Sequence, residues 1–451
     1  MRICLFMLYF FAFSINCMCG CGNKNAADHP PENLIIVLVD ALRPDHLGVY
    51  GYKRNTSPHI NEFASTAMVL DNAISQSGWT APAIAAMFTS NYPAMSSNMG
   101  IKEGDRTLAQ RLRENNFQTG AFVTNPLLKR SLGYDKGFDS YNLLLNEDAR
   151  PKWLRAPLLV DAALQWVGAR NRNKPFFLYL HFMDVHDPYW PPPPYNREYG
   201  KKYEGPVNGI MVTYMQRMKE RKPLYLSGED LDHLIDLYDG GIAYFDEQFG
   251  RLIQGLKTAG VFQNSIIVFT ADHGDEFMEH GGVTHGQSVF DELIHVPLIV
   301  SGGVKRSGSR YSGLVEMIDL APTLMEMLDI PFDYKVTGKS FLKQLNGKRP
   351  IKEIAFSEIN RVQGYMTGRW FVSARTKSEK AIYNVRTNSY LYFNLLTDPA
   401  EAHPLSREQF QEAGRLEKVL QKWRKQYGSK EERADYDTDT MNTLRSLGYV
   451  Q

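Results

Sequence analysis

Asn33-Leu34-Ile35-Ile36-Val37-Leu38-Val39-Asp40 decides the fold. Its apolar residues run on without the alternation of a half-exposed strand, so they ask for burial on both faces, as in a parallel sheet. The same texture returns at 68–74, 118–124, 175–180, 265–270 and 296–300. Helical patterns fall between these runs, at 60–67, 81–90, 108–115, 158–169, 230–259 and 320–328. Strand–helix alternation predicts an α/β fold with a largely parallel central sheet flanked by helices. Beyond about residue 335 the runs shorten, at 354–357, 370–374, 382–385 and 390–395, and a helical pattern follows at 406–427. We read residues 33–334 as the main domain and 335–451 as a smaller C-terminal α+β subdomain. Residues 189–230, with four consecutive prolines at Pro191–Pro194, read as a long loop or lid.

The chain has 451 residues, 43% of them hydrophobic, enough for a sizeable core. Lys and Arg total 51 against 50 Asp and Glu, and a net charge of +1 argues against a nucleic-acid partner. All four cysteines, Cys4, Cys17, Cys19 and Cys21, lie in the first 21 residues, so no disulfide framework holds the body. Residues 3–15 form an apolar run behind Arg2, too short to span a bilayer comfortably and suited to a secretory leader. Gly20 before Cys21 resembles a bacterial lipoprotein cleavage site, with Cys19 or Cys17 as other lipidation points and a plain signal peptide or short anchor as the other readings. Residues 1–21 are then a leader and 22–32 a polar tether. The expectation is an exported protein of the bacterial cell envelope, held to the membrane by a lipid on Cys21.

Polar clusters follow three of the buried runs. Asp40 ends the first; His181, Asp184 and His186 follow the run at 175–180; Asp272-His273-Gly274 follows 265–270. In open parallel sheets, ligands bind beyond the carboxyl ends of the strands, so these side chains are expected on one rim. Five of the eleven histidines, His181, His186, His273, His280 and His285, fall in two short segments there. A fourth element is Gly78-Trp79-Thr80-Ala81-Pro82-Ala83, with Thr80 as N-cap of a helix whose amino end would attract an anion. A threonine hydroxyl is a poor nucleophile unless a metal or a base activates it. Asp40, Asp272 and His273 form a set that can hold one divalent ion against Thr80, and hard carboxylates with one imidazole leave Ca, Mg, Mn and Zn all open.

The stretch from Asn33 through Asp40-Ala41-Leu42-Arg43-Pro44-Asp45 to Gly51 is similar to the opening strand of the sulfatase family within the alkaline phosphatase superfamily. The stretches His181-Phe182-Met183-Asp184-Val185-His186-Asp187-Pro188, Thr270-Ala271-Asp272-His273-Gly274-Asp275-Glu276, Glu279-His280-Gly281, His285-Gly286 and His295-Val296-Pro297-Leu298 resemble it in the same order. So do Leu395-Leu396-Thr397-Asp398-Pro399 and Leu447-Gly448-Tyr449. The resemblance implies an alkaline phosphatase-like fold, metal ligands at Asp40, Asp272 and His273, and the nucleophile at Thr80. It implies that His186 and His285 contact the transferred group or protonate the leaving group. His181 is a weaker match; it and His280 are carried as substrate-side candidates, though His280 also reads as a metal-proximal or plain loop residue.

The departures shape the expected chemistry. Sulfatases mature a Cys or Ser in a Cys/Ser-x-Pro-x-Arg motif to formylglycine, whereas this chain has Thr80 there, Ile84 in the arginine position and Ala41 for the second Asp of an Asp-Asp pair. This set is similar to one-metal threonine enzymes of the superfamily. The expectation is a metal-dependent hydrolase or transferase acting on a phosphate, phosphonate or sulfate ester, with phosphoryl chemistry favoured, on a small-molecule or glycan- or lipid-linked anionic substrate. The alternatives are a sulfuric ester hydrolase with an atypical centre and a catalytically degenerate lipoprotein that binds anionic glycans.

Overall fold

A computed structural model describes residues 31–93, 100–145, 156–200, 202–209, 226–332, 335–348, 352–361, 369–428, 438 and 441–442. The leader with Cys21, nearly all of the tether, residues 210–225 of the long loop and the closing Leu447-Gly448-Tyr449 lie outside the described residues.

The first run forms β1 (Asn33–Val39), buried along its whole length. Then come β2 (Met68–Ile74), β3 (Gln118–Val123), β4 (Ser140–Leu143), β5 (Phe176–Phe182), β6 (Ser265–Ala271), a short β7–β8 hairpin (Glu276–Phe277, Val283–Thr284), β9 (His295–Ser301) and β10 (Ser309–Glu316). Eight of these make one sheet in the order β10-β2-β9-β6-β1-β5-β3-β4. β9 pairs antiparallel with both β2 and β6, and the other pairings are parallel. The largely parallel reading is right, with one reversed strand.

Helices α1 (Pro58–Ser65), α2 (Thr80–Thr89), α3 (Leu108–Glu114), α4 (Ala156–Ala169) and the long α5 (Gly228–Thr258) flank the sheet. Ser227 caps α5 by accepting from the Asp230 backbone at 3.1 Å, and the Asp230 carboxylate accepts from the Ser227 N–H at 3.0 Å. This reciprocal box fixes where the helix starts.

The register places the site. Val39 lies opposite Phe182 on β5 and Ala271 on β6, so three neighbouring strands end flush. The residues after those ends, Asp40 and Asp272, are therefore set side by side. The Asp40 N–H continues the β1–β5 ladder by donating to the Phe182 carbonyl at 2.8 Å.

The C-terminal part is a four-stranded antiparallel sheet in chain order, β11 (Ala355–Arg361), β12 (Arg369–Arg375), β13 (Glu379–Asn384) and β14 (Ser389–Asn394). The helix expected at 406–427 spans only Ala413–Tyr427, with Leu416, Leu420 and Trp423 buried. Ser406 and Gln409 instead close a local turn through bonds of 2.9 and 3.3 Å between their side chains and backbones. Lys380 on β13, fully buried, binds Asp291 at 2.8 Å and Glu401 at 2.9 Å and so ties this sheet to the segment leading into β9.

Candidate active site

Asp40, Thr80, His181, His186, Asp272, His273 and His285 are all buried. Thr80 is the first residue of α2, and Trp79, extended, is the N-cap, one position earlier than the sequence suggested. The reason is visible in its side chain. Thr80 Oγ1 is turned away from the helix backbone, 3.1 Å from His273 Nε2 and 3.4–3.5 Å from the Asp40 carboxylate.

His273 donates from Nδ1 to the Gly274 carbonyl at 2.9 Å, which leaves the Nε2 lone pair facing Thr80, Asp40 and Asp272. Its Nε2 lies 3.4 Å from Asp40 Oδ1 and 3.5 Å from Asp272 Oδ2. Asp272 Oδ1 accepts from the backbone of Ala41 at 3.3 Å and of His273 at 2.9 Å, but Asp272 Oδ2 is buried with no hydrogen-bond partner. Burial, with the neighbouring Asp272 charge, pushes Asp40 up to about 6, and burial pushes Asp272 up to about 7. An orphaned carboxylate oxygen, a second carboxylate at its side and an oriented imidazole lone pair make a donor set that fits a divalent cation.

Ala41 has φ of 60° and holds the turn after β1. Its carbonyl accepts from Tyr238 Oη of α5 at 2.8 Å and its N–H donates to Asp272 Oδ1 at 3.3 Å, so the peptide groups on both sides of this strained residue are braced. Ile84, in the position where the family carries arginine, is buried in the core.

His181, on β5, has its Nε2 3.6 Å from Asp40 Oδ2, and neither ring nitrogen has a hydrogen-bond partner. Burial pulls it down to about 3, so it is neutral. It gathers with Asp40 and Asp272, on the side of the carboxylate pair. His186 and His285 meet edge to face at 4.8 Å, and His285 lies tilted against His273 at 4.3 Å between ring centres. For His186, burial alone would strip the proton, but the carboxylates of Asp40, Asp187 and Asp275 outweigh it and push it up to about 9.

His280 is not brought to this group. Its Nδ1 bonds Glu292 at 2.8 Å, its Nε2 the Glu401 carbonyl at 3.1 Å, and its ring stacks on Phe290 at 3.5 Å. A histidine engaged at both nitrogens has no donor left for a substrate, which corrects the substrate-side reading.

Three residues of the group escaped the sequence reading. Asn125, just past β3, donates from Nδ2 to Asp40 Oδ2 at 2.7 Å. Asp275 accepts from His285 Nδ1 at 2.7 Å and from Tyr189 Oη at 2.6 Å. Asp187 lies against His186 at 3.3 Å. Asn125 follows a strand end and was findable by the rule that found Asp40.

The chain is similar to several known proteins. The family model described as Sulfatase matches residues 32–330, and the model "N-sulphoglucosamine sulphohydrolase, C-terminal" matches residues 279–426. The chain is 23% identical over 399 residues to Arylsulfatase K of Danio rerio, covering 77% of this chain and 74% of that protein. The phosphonate monoester hydrolase of Agrobacterium radiobacter superposes with a TM-score of 0.72 at 20% identity, over 88% of this chain and 96% of that one. A protein solved with its substrate D-glucosamine-2-N,6-O-disulfate superposes at 0.71 and 18% identity, over 91% of this chain and 99% of that one. These two likenesses show the α/β fold. The family generally binds a divalent metal, and the acidic and histidine sets here are of a kind that could hold one. With a family model matched over most of its length, the chain belongs to the sulfatase family of ester hydrolases.

Proposed function

We propose that this chain is an exported, lipid-anchored, metal-dependent hydrolase or transferase that uses Thr80 to attack a phosphate or phosphonate ester. The observation that carries the reading is Thr80 Oγ1 at 3.1 Å from His273 Nε2 and 3.4 Å from Asp40. The hydroxyl faces a carboxylate and imidazole set, at the amino end of a helix, where a tetrahedral anion is attracted. A divalent ion held by Asp40, Asp272 and His273 would favour the alkoxide and neutralise charge on the attacked group.

Thr80 loses its hydroxyl proton to solvent, as a bound ion would favour, and its oxygen forms a bond to phosphorus as the bond to the leaving oxygen breaks. The leaving oxygen takes a proton from His186, whose protonated form the carboxylates of Asp40, Asp187 and Asp275 favour, or from His285. Water or an acceptor alcohol then gives its proton to that imidazole and attacks phosphorus, and Thr80 leaves as the alkoxide and takes a proton back from solvent. Threonine supports this covalent route but cannot form the hydrated aldehyde that releases sulfate by elimination. That favours phosphoryl over sulfuryl transfer. A sulfuric ester hydrolase with an atypical centre is the second reading, supported by the family match and by the sulfated sugar bound in a protein of the same fold. Either way the substrate is an anionic ester, small or linked to a glycan or lipid. Residues 33–334 would form the catalytic domain, and a lipid on Cys21 would hold it at the envelope.

The test assays the protein, freed of its leader, on aryl phosphate, aryl phosphodiester and aryl sulfate, with and without chelator. Turnover of the phosphorus esters that the chelator abolishes is expected; turnover confined to the sulfate overturns the reading. Intact mass after rapid quench should show one phosphoryl group on Thr80. Incorporation of labelled lipid that persists in Cys21→Ser would remove Cys21 as the anchor.

A further inference from the structure

The β7–β8 hairpin pairs Glu276 with Thr284 and Phe277 with Val283. The next rung outward sets Asp275 opposite His285, so the register itself makes them cross-strand neighbours. Both are buried, and His285 Nδ1 donates to Asp275 Oδ1 at 2.7 Å.

Asp275 is held in turn. Its Oδ2 accepts from Tyr189 Oη at 2.6 Å, and its carbonyl accepts from Arg43 Nη1 at 2.9 Å. The Tyr189 ring packs at 5.5 Å on Tyr238 of α5 and at 5.6 Å on Phe277 of β7, which keeps its hydroxyl in place.

The backbone around His285 is unusual as well. Thr284 has φ of 64° and Gly286 has φ of 84°. Glycine takes that region freely, but a β-branched residue there is an outlier that its surroundings must hold. Gln287 Nε2 does so by donating to the Thr284 carbonyl at 3.1 Å. Strain of this kind collects where a side chain has to be aimed. His186 is placed differently. Its Nδ1 bonds the carbonyl of the next residue, Asp187, and lies 3.3 Å from the Asp187 carboxylate. A ring tied to its chain neighbour moves with its own loop, whereas His285 is tied across two strands and, through Asp275, to a third segment.

We propose that Asp275 is the positioning residue of His285, and that Tyr189 acts through Asp275, so that the hairpin delivers the leaving-group acid as a preassembled pair. On the reading of the chamber as an ester site, on which this rests, the leaving oxygen is protonated by His285 rather than by His186. With Nδ1–H held by Asp275, the proton given up is the one on Nε2. It passes to the leaving oxygen as the bond from that oxygen to phosphorus breaks. The ring keeps its Nδ1–H, and the water that attacks next returns a proton to Nε2. Asp275 stays ionised and offsets the charge of the ring while it carries both protons.

Two measurements test this. In protein labelled with ¹⁵N-histidine, long-range proton–nitrogen spectra locate the ring protons, and the signals lost in His285→Gln assign that residue. His285 should carry a proton on Nδ1, slow to exchange in wild type and faster in Asp275→Asn; a wild-type ring with no proton on Nδ1 overturns the pairing. The second measurement compares phenyl phosphate, whose poor leaving group needs a proton, with dinitrophenyl phosphate, whose leaving group departs without one. Asp275→Asn should lower kcat on the phenyl ester on the order of 10²-fold and on the dinitrophenyl ester by far less, which also shows that the variant folds. Tyr189→Phe should give the same pattern more weakly. Neither change should cost anything further in a His285→Gln background, since both act through that ring. Equal losses on the two esters overturn the positioning role, as do additive losses; if Thr80 still gains a phosphoryl group on quench, the covalent reading survives them. A wild type that turns over neither ester defeats the phosphoryl reading and the acid role together, and the Nδ1 proton then decides the pairing alone.

Discussion

Thr80 and Asn125 make separable demands on Asp40. Thr80→Ala removes the attacking oxygen and should lower kcat on the order of 10⁴-fold, while Thr80→Ser keeps measurable activity; steady-state kinetics on an aryl phosphate checks both. Asn125 supports a carboxylate without touching the hydroxyl in the contacts found. Asn125→Ala should therefore weaken metal affinity by about 10–100-fold with a smaller change in saturated turnover, read by chelator competition. His280 yields a pH prediction outside the catalytic group. Burial lowers its pKa, but the Glu292 carboxylate outweighs it and raises the group from 6.5 to about 9. Its protonated form is thus favoured by the folded state. The stability it contributes is fully present below 6.5 and is lost as pH rises through about 9. Thermal melts from pH 6 to 10 should show an alkaline decline in wild type that flattens in His280→Gln; equal slopes would refute the assignment.

At the scale of elements, Lys380 is the point to probe. It is fully buried against Asp291 and Glu401, and Arg375 also reaches Asp291, at 2.9 Å. Removing one partner of such a cluster strands the others' charge, so Lys380→Ala should cost roughly 3–5 kcal/mol in denaturant unfolding. The strands of the central sheet read most plainly from sequence are its middle ones. β1, β5 and β6 lie at or beside the centre of the sheet and are buried on both faces, so their residues form unbroken apolar runs. The two strands of the central sheet that escaped, β4 and β10, are its outermost strands. β4 is four residues with one buried, and β10 begins with exposed and half-exposed Ser309–Ser312. Edge strands face solvent and carry no such run. The site follows the same logic. Asp40, Asp272 and His273 were legible because charged residues directly after buried runs stand out. Asn125 follows a buried run as Asp40 does and was within reach of the same rule, whereas the roles of Asp187 and Asp275 depend on loop paths that spacing does not encode.

For the whole molecule, metal and fold are linked. An ion that binds only the folded chain stabilises it by about 2.7 kcal/mol at a hundredfold excess over Kd. Chelation should therefore lower Tm, and readdition should restore it in proportion to the logarithm of free metal. The flush ends of β1, β5 and β6 carry a broader consequence. The paired aspartates are anchored by the same ladder that builds the core, with no hinge or separate module between them. Thermal inactivation should then track global unfolding: a residual-activity curve and a circular dichroism curve, taken on one sample, should share a midpoint. A deletion of a single residue within β1 would leave a hydrophobic strand able to pair, yet offset Asp40 from Asp272 by one rung, yielding a folded but inert protein.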